Sequence, residues 1–316
     1  VRLAAIDLGT NTALLLIAEV TGNRLIPSYE TERFVRLGEG LEGRGRISPA
    51  ALERLRQTLM AYRELLLAYN VATCIVAATS AGREAENQDA LQAVVADTLG
   101  LPLEILSGEE EARWSMAGAL AAPAMPQGPC LAVDIGGGST ELIAGRPGAI
   151  TFLRSLPLGT VRLTERYFHR FPPTPAEVVL AQEHICSVLA AQPLPHAPQS
   201  YTLVGIAGTC VSLAALETRR FPLREPVALS REAIYHWRDR LLGMKPEDIR
   251  ALWPALLAGR ADVLPMGALL LGEIVAWGGW DLCYVSPFGL RHGLLLRWLS
   301  MGQTEQIASP AGPTFG

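Results

Sequence analysis

Val133-Asp134-Ile135-Gly136-Gly137-Gly138-Ser139-Thr140-Glu141-Leu142 decides the fold. An apolar run that begins at Leu131 ends in Asp-Ile-Gly, passes through glycines and hydroxyls, and leaves as a second apolar run to Ala144. That order reads as strand, tight turn, returning strand. The chain opens on the same design, Ala5-Ile6-Asp7-Leu8-Gly9-Thr10-Asn11-Thr12, with strands expected over Leu3–Leu8 and Ala13–Val20. One such hairpin is only a turn. Two, each opening one half of the chain, predict a duplicated α/β domain with a cleft between the copies.

The remaining punctuation fits that plan. Ala121–Pro129 is rich in Pro, Ala and Gly and is the expected boundary, giving an N-terminal domain over 1–121 and a C-terminal domain over 122–301. Residues 302–316 carry no periodic pattern and read as a loose tail. Ser48-Pro49 and Thr174-Pro175 each pair a capping hydroxyl with a proline suited to the first helical position. Further helices are expected over 89–99, 109–120, 264–277 and 290–299.

Composition bounds the function. The 316 residues are 49% hydrophobic and 18% charged, an ordinary globular balance rather than a disordered one. A net charge of −4 gives no broadly basic surface, so neither a specific nucleic-acid partner nor a membrane is expected. Lys245 is the single lysine, which rules out a P-loop. The five cysteines are widely spaced with no Cys-x-x-Cys, which argues against a disulfide framework or zinc ribbon. The apolar stretch Leu3–Val20 is interrupted by Asp7, Asn11 and Thr12, unlike a signal peptide or membrane span, and the expected compartment is the cytoplasm. The five histidines show no ligand spacing. Abundant Arg and Leu make a homodimer a candidate assembly.

The hairpins also point to chemistry. Glycines let backbone amides approach an anion, and consecutive amides in a tight turn form a nest for phosphate oxygens. Thr10, Asn11, Ser139 and Thr140 add side-chain donors, and Gly137 and Gly138 supply open backbone. Asp7 and Asp134 end their strands where a carboxylate can hold Mg²⁺ directly or through water. Glu109-Glu110-Glu111 opens a helix. There carboxylates suit the macrodipole, and one aimed at bound substrate can act as general base on water. Glu141 follows the glycine turn directly. A third turn, Val204-Gly205-Ile206-Ala207-Gly208-Thr209, is either a tight strand-to-helix connection or a further surface for a phosphate-bearing group.

Taken together, Asp7–Asn11, Ala78-Thr79-Ser80-Ala81-Gly82-Arg83-Glu84-Ala85, Ser107–Arg113, Asp134–Leu142, Arg260–Pro265 and Ser286–Gly293 resemble the Ppx/GppA family. Its members are exopolyphosphatases and guanosine pentaphosphate phosphohydrolases. The resemblance runs in order from about residue 3 to about residue 300 and matches the family's short form. It implies an actin-like (ribonuclease H-like) fold and hydrolysis of a terminal phosphoanhydride with Mg²⁺, with a monovalent cation such as K⁺ as a second candidate. It places the catalytic glutamates on Glu111 and Glu141, with Glu110 as the neighbouring candidate for the base. Phosphate-binding positions fall on Thr10, Asn11, Arg83, Gly137, Gly138, Ser139 and Thr140, and metal ligands on Asp7, Asp134 and Glu141. The expected substrate is inorganic polyphosphate, with pppGpp as the alternative. A phosphotransferase of the same superfamily and a non-catalytic alarmone sensor are more remote readings. His292 stands where the family usually carries an acidic residue.

Overall fold

The computed structural model describes residues 1–21, 24–146, 148–194 and 196–305. The chain divides into two compact units, residues 1–118 with the segment from 289 onward, and residues 119–288. In the first, strands β1 (Arg2–Leu8), β2 (Thr12–Thr21) and β3 (Arg24–Phe34) are followed by α1 (Leu41–Arg44), α2 (Pro49–Ala68) and β4 (Thr73–Ala78). Then come α3 (Ser80–Glu84), α4 (Gln88–Leu99), β5 (Leu103–Ile105) and α5 (Gly108–Leu120), which carries the chain out of the unit. The second holds β6 (Cys130–Ile135), β7 (Thr140–Arg146), β8 (Ala149–Leu156), α6 (Thr160–Tyr167), α7 (Pro175–Ala190), β9 (Thr202–Ile206) and α8 (Ala207–Thr218). It continues with β10 (Val227–Ser230), α9 (Arg231–Leu242), α10 (Pro246–Leu252), α11 (Pro254–Leu257), α12 (Leu264–Gly278) and β11 (Leu282–Val285). Helix α13 (Leu290–Glu305) returns to the first unit.

The sheets repeat each other. The first runs β3-β2-β1-β4-β5, and the second, read from its matching edge, β8-β7-β6-β9-β11-β10. In both, the first three strands are an antiparallel meander, and the next two join in parallel beside the first strand. β10 adds one antiparallel edge strand to the second copy. This is the actin-like, ribonuclease H-like sheet, made twice from one chain.

Local sequence explains the framework. The central strands are apolar on both faces because both faces are covered. Ala4, Ile6 and Leu8 pack with Leu55, Leu59 and Tyr62 of α2, while Leu3 and Ala5 pack with Leu290, Leu294 and Leu295 of α13. Ser48 Oγ accepts from Ala51 N at the start of α2, and Thr174 and Glu177 form a reciprocal capping box on α7.

Two expectations need correction. The C-terminal domain expected over 122–301 includes the last helix, yet that helix packs on β1 of the first unit. Gly293 makes this possible: a Cβ there would lie 1.8 Å from the carbonyl oxygen of Trp114 in α5. Arg291 adds a hydrogen bond to the Leu15 carbonyl at 2.8 Å and an ion pair with Glu30 at 3.0 Å. The tail expected from residue 302 is helical to Glu305, and residues 306–316 lie outside the described residues. No helix among the described residues is long and apolar enough to cross a membrane.

Candidate active site

Each hairpin closes with the same turn. Gly9 N donates to Thr12 O at 2.8 Å, and Gly136 N donates to Ser139 O at 2.9 Å. In both units the carbonyls of that turn are then held by the segment that follows the third strand. In the first, Gly38 N donates to Thr10 O (2.9 Å), while Val35 N and Arg36 N donate to Asn11 O (3.1 and 2.9 Å). In the second, the opening turn of α6 does it. Thr160 N donates to Gly136 O (2.9 Å), and Val161 N and Arg162 N donate to Gly137 O (2.8 and 3.2 Å).

A trans peptide points its N–H opposite to its C=O. Carbonyls drawn toward the clamping segment therefore leave the next residues' amides facing the other way: Asn11 and Thr12 in the first turn, Gly137 and Gly138 in the second. Among the described residues the amides of Gly137, Gly138 and Ser139 have no protein acceptor. Such a row of outward amides is an anion nest.

The carboxylates are arranged unequally. Asp7 sits opposite Leu14 across β1 and β2, whereas Asp134 sits opposite Glu141 across β6 and β7. Directly opposed residues share a sheet face with Cβ atoms ~5 Å apart. Asp134 and Glu141 are both buried, and Glu141 Oε1 accepts from Ser139 Oγ (2.8 Å) and Ser155 Oγ (2.7 Å). Two adjacent buried carboxylates favour a hard cation between them, and Mg²⁺ characteristically takes one or two protein carboxylates with water or phosphate completing its shell. Asp134 and Glu141 fit that donor set. Asp7 lies in the other unit, and no group of three or more potential ligands occurs among the described residues.

The three consecutive glutamates separate by role. Glu110 is exposed, and its Oε2 accepts from Ser107 N (2.9 Å) and Ser107 Oγ (2.8 Å), while Ser107 Oγ accepts from Glu110 N. That is a capping box on α5. Those two donors hold the Glu110 carboxyl below its ordinary value. Glu109 and Glu110 help line a cavity of about 590 Å³ with Arg113, Trp114 and Arg297; Glu111 is not on its wall. Glu111 is buried, and its Oε2 accepts from Arg83 Nη1 at 2.5 Å. The same Nη1 donates to the Leu106 carbonyl at 2.9 Å. The Nη1 of Arg83, a residue to which the family resemblance gives a phosphate contact, thus fixes the direction of Glu111.

The capping assignment predicts a pH-dependent cost. A carboxyl whose folded value is depressed stabilises above its unfolded value and loses that contribution as pH falls through the folded one. Glu110→Ala should cost about 0.3–1.5 kcal/mol near neutral pH. The gap to the parent should narrow as pH falls below the unfolded carboxyl value of ~4.3 and close below the lower folded value, where both states hold the proton. Thermal melts of both proteins across pH check this; a pH-independent gap would refute it.

Three side chains brace the framework around these turns and helices. Thr140 is fully buried and donates its hydroxyl to the Leu158 carbonyl at 2.5 Å, so it braces the hairpin. At the third turn, Arg260 Nη1 donates to the Gly208 carbonyl and to Ser212 Oγ, both at 3.0 Å, an internal brace for the start of α8. His292 is buried, which holds its pKa well below the usual value and keeps the ring neutral. Its Nδ1 accepts from Gly289 N at 3.5 Å, just ahead of α13. A neutral imidazole can thus fill the capping role of an acidic residue at this third helical position.

Sequence reading missed Gly159, Thr160, Arg162 and Ser155. A signal for the first existed: Leu37-Gly38 and Leu158-Gly159 follow the third strand of each sheet. A Cβ on Gly38 would lie 2.1 Å from Thr10 Cγ2, and one on Gly159 would lie 2.2 Å from Gly137 O.

A duplicated actin-like chain with an amide nest in each hairpin, paired acids in one unit and an arginine-held glutamate in the other belongs among phosphate-handling proteins of that fold. More narrowly, the profile of the Ppx/GppA phosphatase family matches residues 16–301, and the chain belongs to that family. It is 37% identical to Exopolyphosphatase 2 of Mycobacterium tuberculosis, over 93% of this chain and 98% of the relative. It resembles the crystal structure of an exopolyphosphatase from Cytophaga hutchinsonii at TM-score 0.85 and 26% identity, covering 95% of this chain and 98% of that one. An Aquifex aeolicus Ppx/GppA family member matches at TM-score 0.78 and 29% identity, with 95% and 98% covered.

Proposed function

We propose that this protein is an exopolyphosphatase that removes the terminal phosphate of inorganic polyphosphate by attack of water. The observation that carries the reading is the Gly136–Ser139 turn, whose carbonyls are anchored behind it and whose amides face outward beside the Asp134–Glu141 pair. Family membership and the exopolyphosphatase relatives support the choice of substrate.

Glu111 orients a water and takes its proton as the oxygen attacks the terminal phosphorus. The phosphorus–bridging oxygen bond breaks, orthophosphate leaves, and the shortened chain carries the electron pair on its new end. Arg83 keeps the Glu111 carboxylate in one direction. Amides of Gly137, Gly138 and Ser139 hold phosphate oxygens. A Mg²⁺ held by Asp134 and Glu141 would supply positive charge to phosphate oxygens as charge moves to the leaving group. Positioning and charge stabilisation carry most of the acceleration in phosphoryl transfer. The protein is proposed to act in the cytoplasm.

The test is orthophosphate release from long polyphosphate, short polyphosphate and pppGpp side by side, with and without Mg²⁺ and K⁺. Release from polyphosphate with no acceptor present, dependent on Mg²⁺, is the expected result. Turnover of pppGpp alone would make the protein a pppGpp phosphohydrolase, and no release from any of them would overturn hydrolysis.

A further inference from the structure

The equivalent carbonyl is held in both repeats, but by different donors. Asn11 O, in the first turn, accepts from the backbone amides of Val35 and Arg36. Its counterpart in the second turn is Gly138 O, which accepts from the Arg162 side chain, Nε to O at 2.9 Å. The opening of α6 supplies backbone donors to Gly136 and Gly137, and the guanidinium supplies the donor for the third peptide. In that peptide the N–H belongs to Ser139.

We propose that Arg162 is a positioning residue for phosphate recognition: by pinning the Gly138 carbonyl, it turns the Ser139 amide into the anion nest. The inference rests on the hydrolase reading for its substrate but not for its geometry. Arg162 reaches the turn from behind, through the carbonyl, so its effect on the ligand passes through the Ser139 amide. A guanidinium suits the task because it stays charged, and a charged donor makes a stronger hydrogen bond than a neutral one. In the first unit two backbone donors do the same work and no side chain is needed. Arg162 is therefore the point at which one substitution can loosen a single peptide of one nest.

The experiment compares Arg162→Ala with Arg166→Ala, which removes the same charge from the same helix but stacks over Tyr167 instead. Tripolyphosphate affinity is measured by calorimetry, kcat and KM on polyphosphate by phosphate release, and the turn by ¹⁵N–¹H resonances of Gly137, Gly138 and Ser139. Arg162→Ala is expected to shift the Ser139 amide, to weaken tripolyphosphate about tenfold or more, and to raise KM proportionally more than it lowers kcat. Arg166→Ala should leave the three amides in place and the affinity within about twofold. An unmoved Ser139 resonance in Arg162→Ala would refute the clamp even in a protein that cleaves nothing. A shifted resonance with unchanged affinity would refute its part in binding. Equal weakening by both variants would replace it with diffuse charge attraction. If the parent protein releases no phosphate but the amide shifts, the clamp stands and the hydrolase assignment falls.

Discussion

Glu111→Gln leaves a protein that binds tripolyphosphate and releases orthophosphate about 10²–10⁴-fold more slowly, the range a general base contributes. The amide keeps the size of the carboxylate, and its oxygen can still accept from Arg83, so the side chain stays in place while its capacity to take a proton is gone. Glu110→Gln is the matched control. It lies one position away and carries the same charge, but it is exposed and engaged with Ser107. Its turnover should stay within about twofold of the parent, because a lost cap costs helix stability and not proton transfer. Phosphate release and tripolyphosphate binding measured on the two variants decide the assignment. Full activity in Glu111→Gln, or loss of activity in Glu110→Gln, would reverse the roles of these neighbours.

That contrast marks where sequence reading reaches its limit. Duplication was legible because Asp-x-Gly hairpins are local: the turn, its glycine and its flanking apolar runs sit within a dozen residues of each other. Which of three adjacent glutamates faces inward was not legible from the residues alone. Adjacent helical positions lie ~100° apart, and their facing depends on Ser107 claiming Glu110 for the cap. Family resemblance singles out Glu111, and the structure shows that carboxylate buried and held by Arg83. Helix α6 escaped notice because Thr160, Val161 and Thr164 are β-branched in an element only 8 residues long. It forms because its first amides find acceptors in the Gly136–Gly137 turn, a contact propensity cannot see. The allegiance of α13 is nonlocal in the same way, set by Gly293 against Trp114. Arg162 carried no signal at all, since a single arginine on a short helix looks like any surface charge.

The repeated Leu-Gly makes the second large effect asymmetric. Gly159→Ala should destabilise the second unit by about 3 kcal/mol, the upper part of the usual overpacking range. That corresponds to a fall in Tm of about 6–12 °C for a domain of this size. The new Cβ would lie 2.2 Å from Gly137 O and 2.2 Å from Gly138 C. Both are backbone atoms of the nest, so relief requires moving the turn away from α6, and tripolyphosphate binding should fall with stability. Gly38→Ala meets a different obstacle. Its Cβ would lie 2.1 Å from Thr10 Cγ2, while the Thr10 Cβ and carbonyl oxygen are each 3.4 Å away. Thr10→Ser deletes the colliding methyl, so the double variant Gly38→Ala/Thr10→Ser should recover most of the lost Tm. No side-chain change offers Gly159→Ala the same escape, because no side chain is among its nearest contacts. Melts of the three variants, with calorimetric binding of tripolyphosphate to Gly159→Ala, test the idea. A Gly159→Ala protein with parental Tm and affinity would show that the α6 opening does not seat the glycine turn as closely as these contacts require.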